Sequence, residues 1–268
     1  PALKTSDALS NHLKEYLGNL DMGILGIGAA AARIAPSIAA GPISTFAKRT
    51  ARNFIIEEDM NKAATLVQRK IQQGEYFTFD ILGEITQSEA AADRYQVACI
   101  DALTTLGEVL GHNQLDNYGK PIINFSLKSS ALSSHFDPIN PSKTSADIRD
   151  RLRPIFEKAG NIGAFVNIDM EHYQSRDLIN TIFKDLLSEP QFREFENAGT
   201  VIQAYLQDSE QVLNQFLTFA DTRKTPFTLR LVKGAYWDHE RAIATQNGWK
   251  SPVWDEIWQT NRNYEILS

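Results

Sequence analysis

The sequence predicts an α/β fold built from repeated strand-helix units, and three observations carry that prediction. From residue 76 onward, runs that alternate apolar and polar side chains with a period of two exchange with longer runs of helical spacing. The exchange recurs at the spacing of parallel strands joined by crossover helices. Each strand-like run also ends on or beside a polar residue: Glu84, Lys128, Asp169, Gln203, and finally Arg230 and Lys233. Polar side chains at the carboxyl ends of successive strands are how a (β/α)8 TIM-type barrel assembles its active site. The expected fold is therefore such a barrel, truncated after about five strand-helix units and preceded by an α-helical domain, with domains at 1–75 and 76–268. An open doubly wound sheet is the alternative. It normally carries a glycine-rich turn after its first strand when it binds dinucleotides, and Ile81-Leu82-Gly83-Glu84 is not one.

The front of the chain reads as helices. Ser6-Asp7 can cap a helix over 8–20, and 44–52 and 59–73 continue the pattern, with Ala64, Leu66, Val67 and Ile71 fitting one face. Between them, residues 22–40 are rich in glycine and alanine. A transmembrane span there would place Arg33 in the hydrocarbon, at high cost. Gly26-Ile27-Gly28-Ala29-Ala30-Ala31 matches G-x-G-x-x-A, but a poor strand precedes it and Pro36 interrupts the helix that should follow. The acidic ribose ligand expected about twenty residues on is replaced by Lys48 and Arg49. A close-packed helix with small side chains is the preferred reading.

In the second part, 77–81 is the first strand. Ser88 caps a helix running to Val109 and ending near Gly111, and 121–127 is the second strand. A loop over 129–143 contains Pro138 and Pro141. Thr144 or Ser145 then caps a helix to Lys158, and 164–168 is the third strand. A helix over 175–187, a fourth strand over 200–205, a helix over 208–220 and a fifth strand over 227–232 follow, and the chain closes in one helix.

Composition sets outer limits. Hydrophobic content of 43% with 22% charged residues describes a globular protein with material for a core. The net charge of −6 argues against general nucleic-acid binding. Cys99 is the single cysteine, which excludes an intrachain disulfide and points to a reducing compartment. No secretory leader is read at the start. His135, His172 and His239 follow strands without metal-ligand spacing on a helix, so no metal is expected.

The densest chemistry lies in Phe227-Thr228-Leu229-Arg230-Leu231-Val232-Lys233-Gly234-Ala235-Tyr236-Trp237-Asp238. A strand ends there on two cations and a glycine that permits close backbone approach. This segment resembles a signature of the proline dehydrogenase family, in particular the flavoprotein domain of proline utilization A. The resemblance extends in order to the stretches 77–84 (FTFDILGE), 123–132 (INFSLKSSAL), 166–173 (VNIDMEHY) and 201–206 (VIQAYL). The family continues with three more strand-helix units, so the chain reads as a fragment. The ribbon-helix-helix segment of some relatives and the aldehyde dehydrogenase half of the bifunctional enzymes are not seen in it.

The resemblance implies oxidation of L-proline to pyrroline-5-carboxylate, with hydride passed to FAD and electrons to a membrane quinone, in a cytoplasmic protein peripheral to the inner membrane. It implies Lys128 as the partner of the proline carboxylate, and Asp169 and Tyr236 as residues shaping the proline pocket. Arg230 falls at the flavin N5 edge and Gln203 at the polar edge of the ring system. Val232, Lys233, Gly234, Ala235 and Trp237 fall at flavin-contact positions. A C-terminal aldehyde dehydrogenase domain in the native chain and assembly into a homo-oligomer stay open. Glu84 reads as structural. Two other functions remain: a non-catalytic barrel fragment serving as a scaffold or dimerisation module, and a lyase using Lys128 or Lys233 as a Schiff-base nucleophile.

Overall fold

The computed structural model describes residues 60–81 and 86–268. The expectations for 8–20, 22–40, 44–52 and Glu84 lie outside the described residues. By its contacts the chain divides at Ala63/Ala64, and the account that follows concerns the unit Ala64–Ser268.

The described elements are helix α1 (Met60–Ile71), strand β1 (Thr78–Asp80), α2 (Glu89–Leu110), β2 (Asn124–Leu127), a 3-10 turn (Ser129–Leu132), α3 (Pro141–Ile162), β3 (Phe165–Ile168), α4 (Tyr173–Ser188), β4 (Ala198–Gln203), α5 (Ser209–Arg223), β5 (Thr228–Val232), α6 (Trp237–Asn247) and α7 (Ile257–Leu267). All strand pairs are parallel and the spatial order is β1-β2-β3-β4-β5. Chain order and spatial order coincide, so the sheet lacks the reversal that defines a doubly wound switch point.

The pleat sends alternate side chains to opposite faces. On one face Phe125, Leu127, Val166 and Ile168 are fully buried, together with Leu103 and Leu106 of α2, Leu152 and Phe156 of α3, and Ile182 and Phe183 of α4. Each such side chain stabilises the fold by roughly 1.5–3 kcal/mol relative to exposure. The other face carries Thr78, Asp80, Ser126, Asn167 and Arg230, and it holds the chemistry described below.

Local signals explain most boundaries. Ser88 does cap α2, its hydroxyl accepting the Ala91 N–H at 3.3 Å. Helix α3 starts earlier than expected, at Pro141, because a first-turn proline is already set for a helix. Thr144 and Ser145 therefore lie inside the helix, bonded to the Asp137 carbonyl and the Asp185 carboxylate. The helix also runs on to Ile162, where Gly163 takes a left-handed conformation (φ 70°) as its cap. The single closing helix expected from the sequence is two helices, parted at Gly248. Strand β4 is offset two residues toward the amino end, and Pro121 contributes an isolated antiparallel bridge to Leu115 rather than to β2.

One buried arginine organises the approach to β5. Arg223, at the end of α5, donates to the carbonyls of Leu187, Phe192, Phe195, Thr225 and Pro226, at 2.7–3.4 Å. It satisfies orphan carbonyls of the α4–β4 connection while fixing the turn into β5.

Cys99 is fully buried on α2, and burial pushes its thiol up to about 12, with the nearby Tyr95 side chain opposing. The thiolate is the reactive form. Native protein is therefore expected to resist alkylation by iodoacetamide at neutral pH and to label once denatured, as mass spectrometry of the Cys99 peptide will show.

Candidate active site

The carboxyl ends of β1, β2, β3 and β5 deliver one cluster of charged side chains. Strand register sets it up: Asp80 pairs with Ser126, Ser126 with Asn167, and Val201 with Arg230. Lys128 and Asp169, each one residue beyond its strand, project from the same face as Ser126 and Asn167. Arg230 Nη2 donates to Asp169 Oδ1 at 2.6 Å, and Asn167 Nδ2 donates to the same oxygen at 2.8 Å and to Ser126 Oγ at 3.1 Å. Lys128 Nζ lies 3.3 Å from Asp80 Oδ2 and 3.8 Å from Asp169 Oδ2. Burial of the Lys128 ammonium works to lower its pKa, but Asp80 and Asp169 outweigh it and the net shift is upward. Lys128 is thus a fixed cation. The Arg230 side chain is half exposed (51%) against 16% for Asp169, so their pair adds little stability and leaves guanidinium donors free to bind.

Tyr236 closes the cluster from the start of α6. Burial raises its phenol pKa, Glu171 adds to that, and Lys128 opposes. Its ring centroid is 4.2 Å from that of His172, which is equally close to His239. Glu171 is buried and accepts from the Ser130 N–H at 3.1 Å and from the Ser130 hydroxyl, tying the turn after Lys128 to the segment after Asp169. Gln203 Nε2 donates to the Glu171 carbonyl at 3.3 Å, and its Oε1 is buried without a hydrogen-bond partner among the described residues.

The segment after β5 is pinned to the end of β4. The Ala204 and Tyr205 amides donate to the Val232 and Lys233 carbonyls, each at 2.8 Å. Gly234 then turns with φ +122°, and a β-carbon there would stand 2.5 Å from the Tyr205 ring. Lys233, Gly234 and Ala235 are exposed on this turn. Trp237 packs against Tyr205, Leu206 and Val253, and its indole N–H donates to the Trp254 carbonyl at 2.7 Å. From α7, Asn263 Nδ2 holds the turn after β4 through the Ala204 carbonyl and the Ser209 hydroxyl, both at 2.7 Å. Gly234→Ala combines a disallowed φ with overpacking and is expected to destabilise by about 2–4 kcal/mol, measured as a lower urea midpoint.

Below the cluster, the same sheet face is hollow. A cavity of about 570 Å³ runs from Thr78, Asn124 and Phe165 past Asn167 to Arg230.

The proline dehydrogenase family model matches residues 63–268. The chain belongs to the proline dehydrogenase family. Among curated relatives, the bifunctional protein PutA of Escherichia coli is 27% identical over 212 residues, 79% of this chain and 16% of that protein. Proline dehydrogenase 1 of Bacillus subtilis strain 168 is 30% identical over 186 residues, 69% of this chain and 52% of that protein. The crystal structure of proline utilization A from Bdellovibrio bacteriovorus, inactivated by N-propargylglycine, superposes with a TM-score of 0.83 at 34% identity, over 99% of this chain and 29% of that one. This chain thus spans between about a sixth and a half of these curated relatives. Its parallel five-stranded sheet with helices is similar to the proline utilization A domain.

Within this family member, Lys128, Asp169 and Arg230 stand in direct contact and Tyr236 lies close by. Gln203 borders the group through Glu171, while Val232, Lys233, Gly234 and Ala235 form the turn beside it. Trp237 is brought to the same corner but spends its donor on the fold. Sequence reasoning missed Asp80, Ser126, Asn167 and Glu171. The signal for Ser126 and Asn167 was the alternation itself, since a polar residue two positions before a strand-end polar residue faces the same way; Asp80, two before Leu82, carried none. Glu171 carried no such mark.

Proposed function

We propose that this chain contributes the proline and flavin sites of an FAD-dependent proline dehydrogenase. In that reading L-proline is oxidised to pyrroline-5-carboxylate, the first step of proline catabolism to glutamate, and a membrane quinone takes the electrons. The observation that carries it is the Lys128–Asp169–Arg230 cluster at the strand ends. Lys128 is held protonated between two carboxylates and offers a cation for the proline carboxylate. Asp169 orients Lys128 and Arg230 together, and Tyr236 walls the pocket with a phenol kept protonated. Oxidation removes a hydride from the ring carbon and a proton from the nitrogen, leaving the carbon–nitrogen double bond of the product.

A flavin fits the residues present. Gln203 Oε1 is a buried acceptor without a donor among the described residues, which the imide N–H of an isoalloxazine would satisfy, and Arg230 on the adjacent strand presents a half-exposed cation. Gly234 packs its backbone against the Tyr205 ring, which fixes the turn carrying Lys233 and Ala235. When bound, the flavin supplies two-electron acceptance. Arg230 would favour the electron-rich form by its charge. The sequential parallel order, with β1 and β5 at the two edges, supports reading the five strands as an arc of a TIM barrel. Electron delivery to a quinone would place the complete protein peripherally at the inner membrane, from the cytoplasmic side.

A Schiff-base lyase fits less well. Its lysine needs a lowered pKa to be nucleophilic, whereas that of Lys128 is raised. The complete protein should bind FAD, oxidise L-proline, and lose activity to N-propargylglycine. Failure to take up FAD on reconstitution would favour the scaffold reading, and borohydride trapping of a substrate on Lys128 or Lys233 the lyase.

A further inference from the structure

Lys128 owes its place to more than its two carboxylates. In the β2–β3 pair, Asn124 lies opposite Phe165 while the Phe165 N–H donates to Ile123, one residue back on the partner strand. The same offset in the β1–β2 pair, where Asp80 lies opposite Ser126, sets the Lys128 N–H against the Ile81 carbonyl as the last rung of the ladder. The rung is not direct. The hydroxyl of Tyr95, reaching in from α2, accepts the Lys128 N–H at 3.3 Å and donates to the Ile81 carbonyl at 3.4 Å. Tyr95 is 8% exposed, so the inserted hydroxyl sits where water has little access. Insertion of one oxygen between the strand ends holds β1 and β2 further apart there than a direct bond would. The Lys128 ammonium then reaches Asp80 on one side and Asp169 on the other.

We propose that Tyr95 is a positioning residue for Lys128, its hydroxyl inserted in the last rung between β1 and β2 and setting the reach of the Lys128 side chain. The kinetic part of this inference rests on the proline-oxidation reading above. A plain packing role for Tyr95 would be kept by phenylalanine, which has the same ring, whereas the positioning role would not.

The experiment uses the complete, FAD-loaded protein as wild type, Tyr95→Phe, Lys128→Ala and the double variant. Tyr95→Phe is expected to raise KM for L-proline about three- to tenfold, the effect of one lost neutral hydrogen bond, with kcat and flavin content unchanged. In the Lys128→Ala background the same change should leave KM where Lys128→Ala alone puts it, because the group being positioned is gone. A Tyr95→Phe effect of equal size in both backgrounds, or an unchanged KM with only a lower melting temperature, would overturn the proposal. Amide hydrogen exchange supplies a readout that needs no turnover. The Lys128 N–H should be protected in the wild type and exchange at least about tenfold faster in Tyr95→Phe, since its acceptor is removed. Equal exchange rates would also overturn it. Absence of proline oxidation by the wild type would count against the function reading instead, leaving the exchange comparison to decide the role of Tyr95.

Discussion

Asp169→Asn is expected to lower kcat/KM for L-proline by roughly 30- to 150-fold, equivalent to about 2–3 kcal/mol. Asp169 carries the cluster's shared negative charge. Its Oδ1 accepts from Arg230 at 2.6 Å and from Asn167 at 2.8 Å, while Oδ2 faces Lys128 at 3.8 Å. Asparagine keeps the shape and one acceptor but removes the charge, and its new N–H groups face cations or another amide donor. Arg230 then loses its carboxylate and Lys128 keeps only Asp80, so both are released from the positions that the proposed site requires. Because these groups are partly open to water, the fold should survive with a melting temperature close to that of the wild type. Steady-state kinetics with a parallel thermal melt checks both halves. A large loss of stability with normal kinetics in the surviving fraction would make Asp169 a structural residue.

Lys128→Ala is expected to act differently, raising KM for L-proline by about 10- to 100-fold while kcat changes little, the range for a hydrogen bond to a charged group. The proline carboxylate takes no part in the bond changes, so a cation that holds it contributes equally to ground and transition states. The pKa of Lys128 is raised in the folded protein, so its charge persists through neutral and mildly alkaline pH. The KM difference between wild type and Lys128→Ala should therefore stay constant across that range. Flavin content measured alongside separates the roles. Lost flavin with unchanged KM would move Lys128 from the substrate side of the site to the cofactor side.

Much of this site was legible in the sequence because strand chemistry is local. A polar residue just past a period-two apolar run marks the carboxyl end of a strand, which put Lys128 and Asp169 at strand ends, while the family resemblance grouped them with Arg230. The parallel order followed from the strand-helix alternation. What the sequence did not show depended on register and on side chains reaching across elements. Asp80 is one strand aspartate without a visible partner until β1 is aligned with β2. Tyr95 reads as an ordinary apolar position of α2, and the inserted rung appears only when two strand ends are seen together. Trp237 stood at a flavin-contact position by the family resemblance, and its bond to the Trp254 carbonyl, seventeen residues on, shows only in the fold. The start of α3 was misplaced for a plainer reason. Thr144 and Ser145 are good caps by composition, but Pro141 had already fixed the first turn.

In the proposed site the Lys128–Asp169–Arg230 cluster binds proline beside a flavin. Anaerobic titration of the complete, FAD-loaded protein with L-proline, followed by the visible absorbance of the flavin, tests it most directly. Loss of that absorbance on adding L-proline, shifted to much higher proline concentration in Lys128→Ala, is the expected result. Flavin that stays oxidised at saturating L-proline, or that is reduced at the same concentrations with and without Lys128, would contradict it.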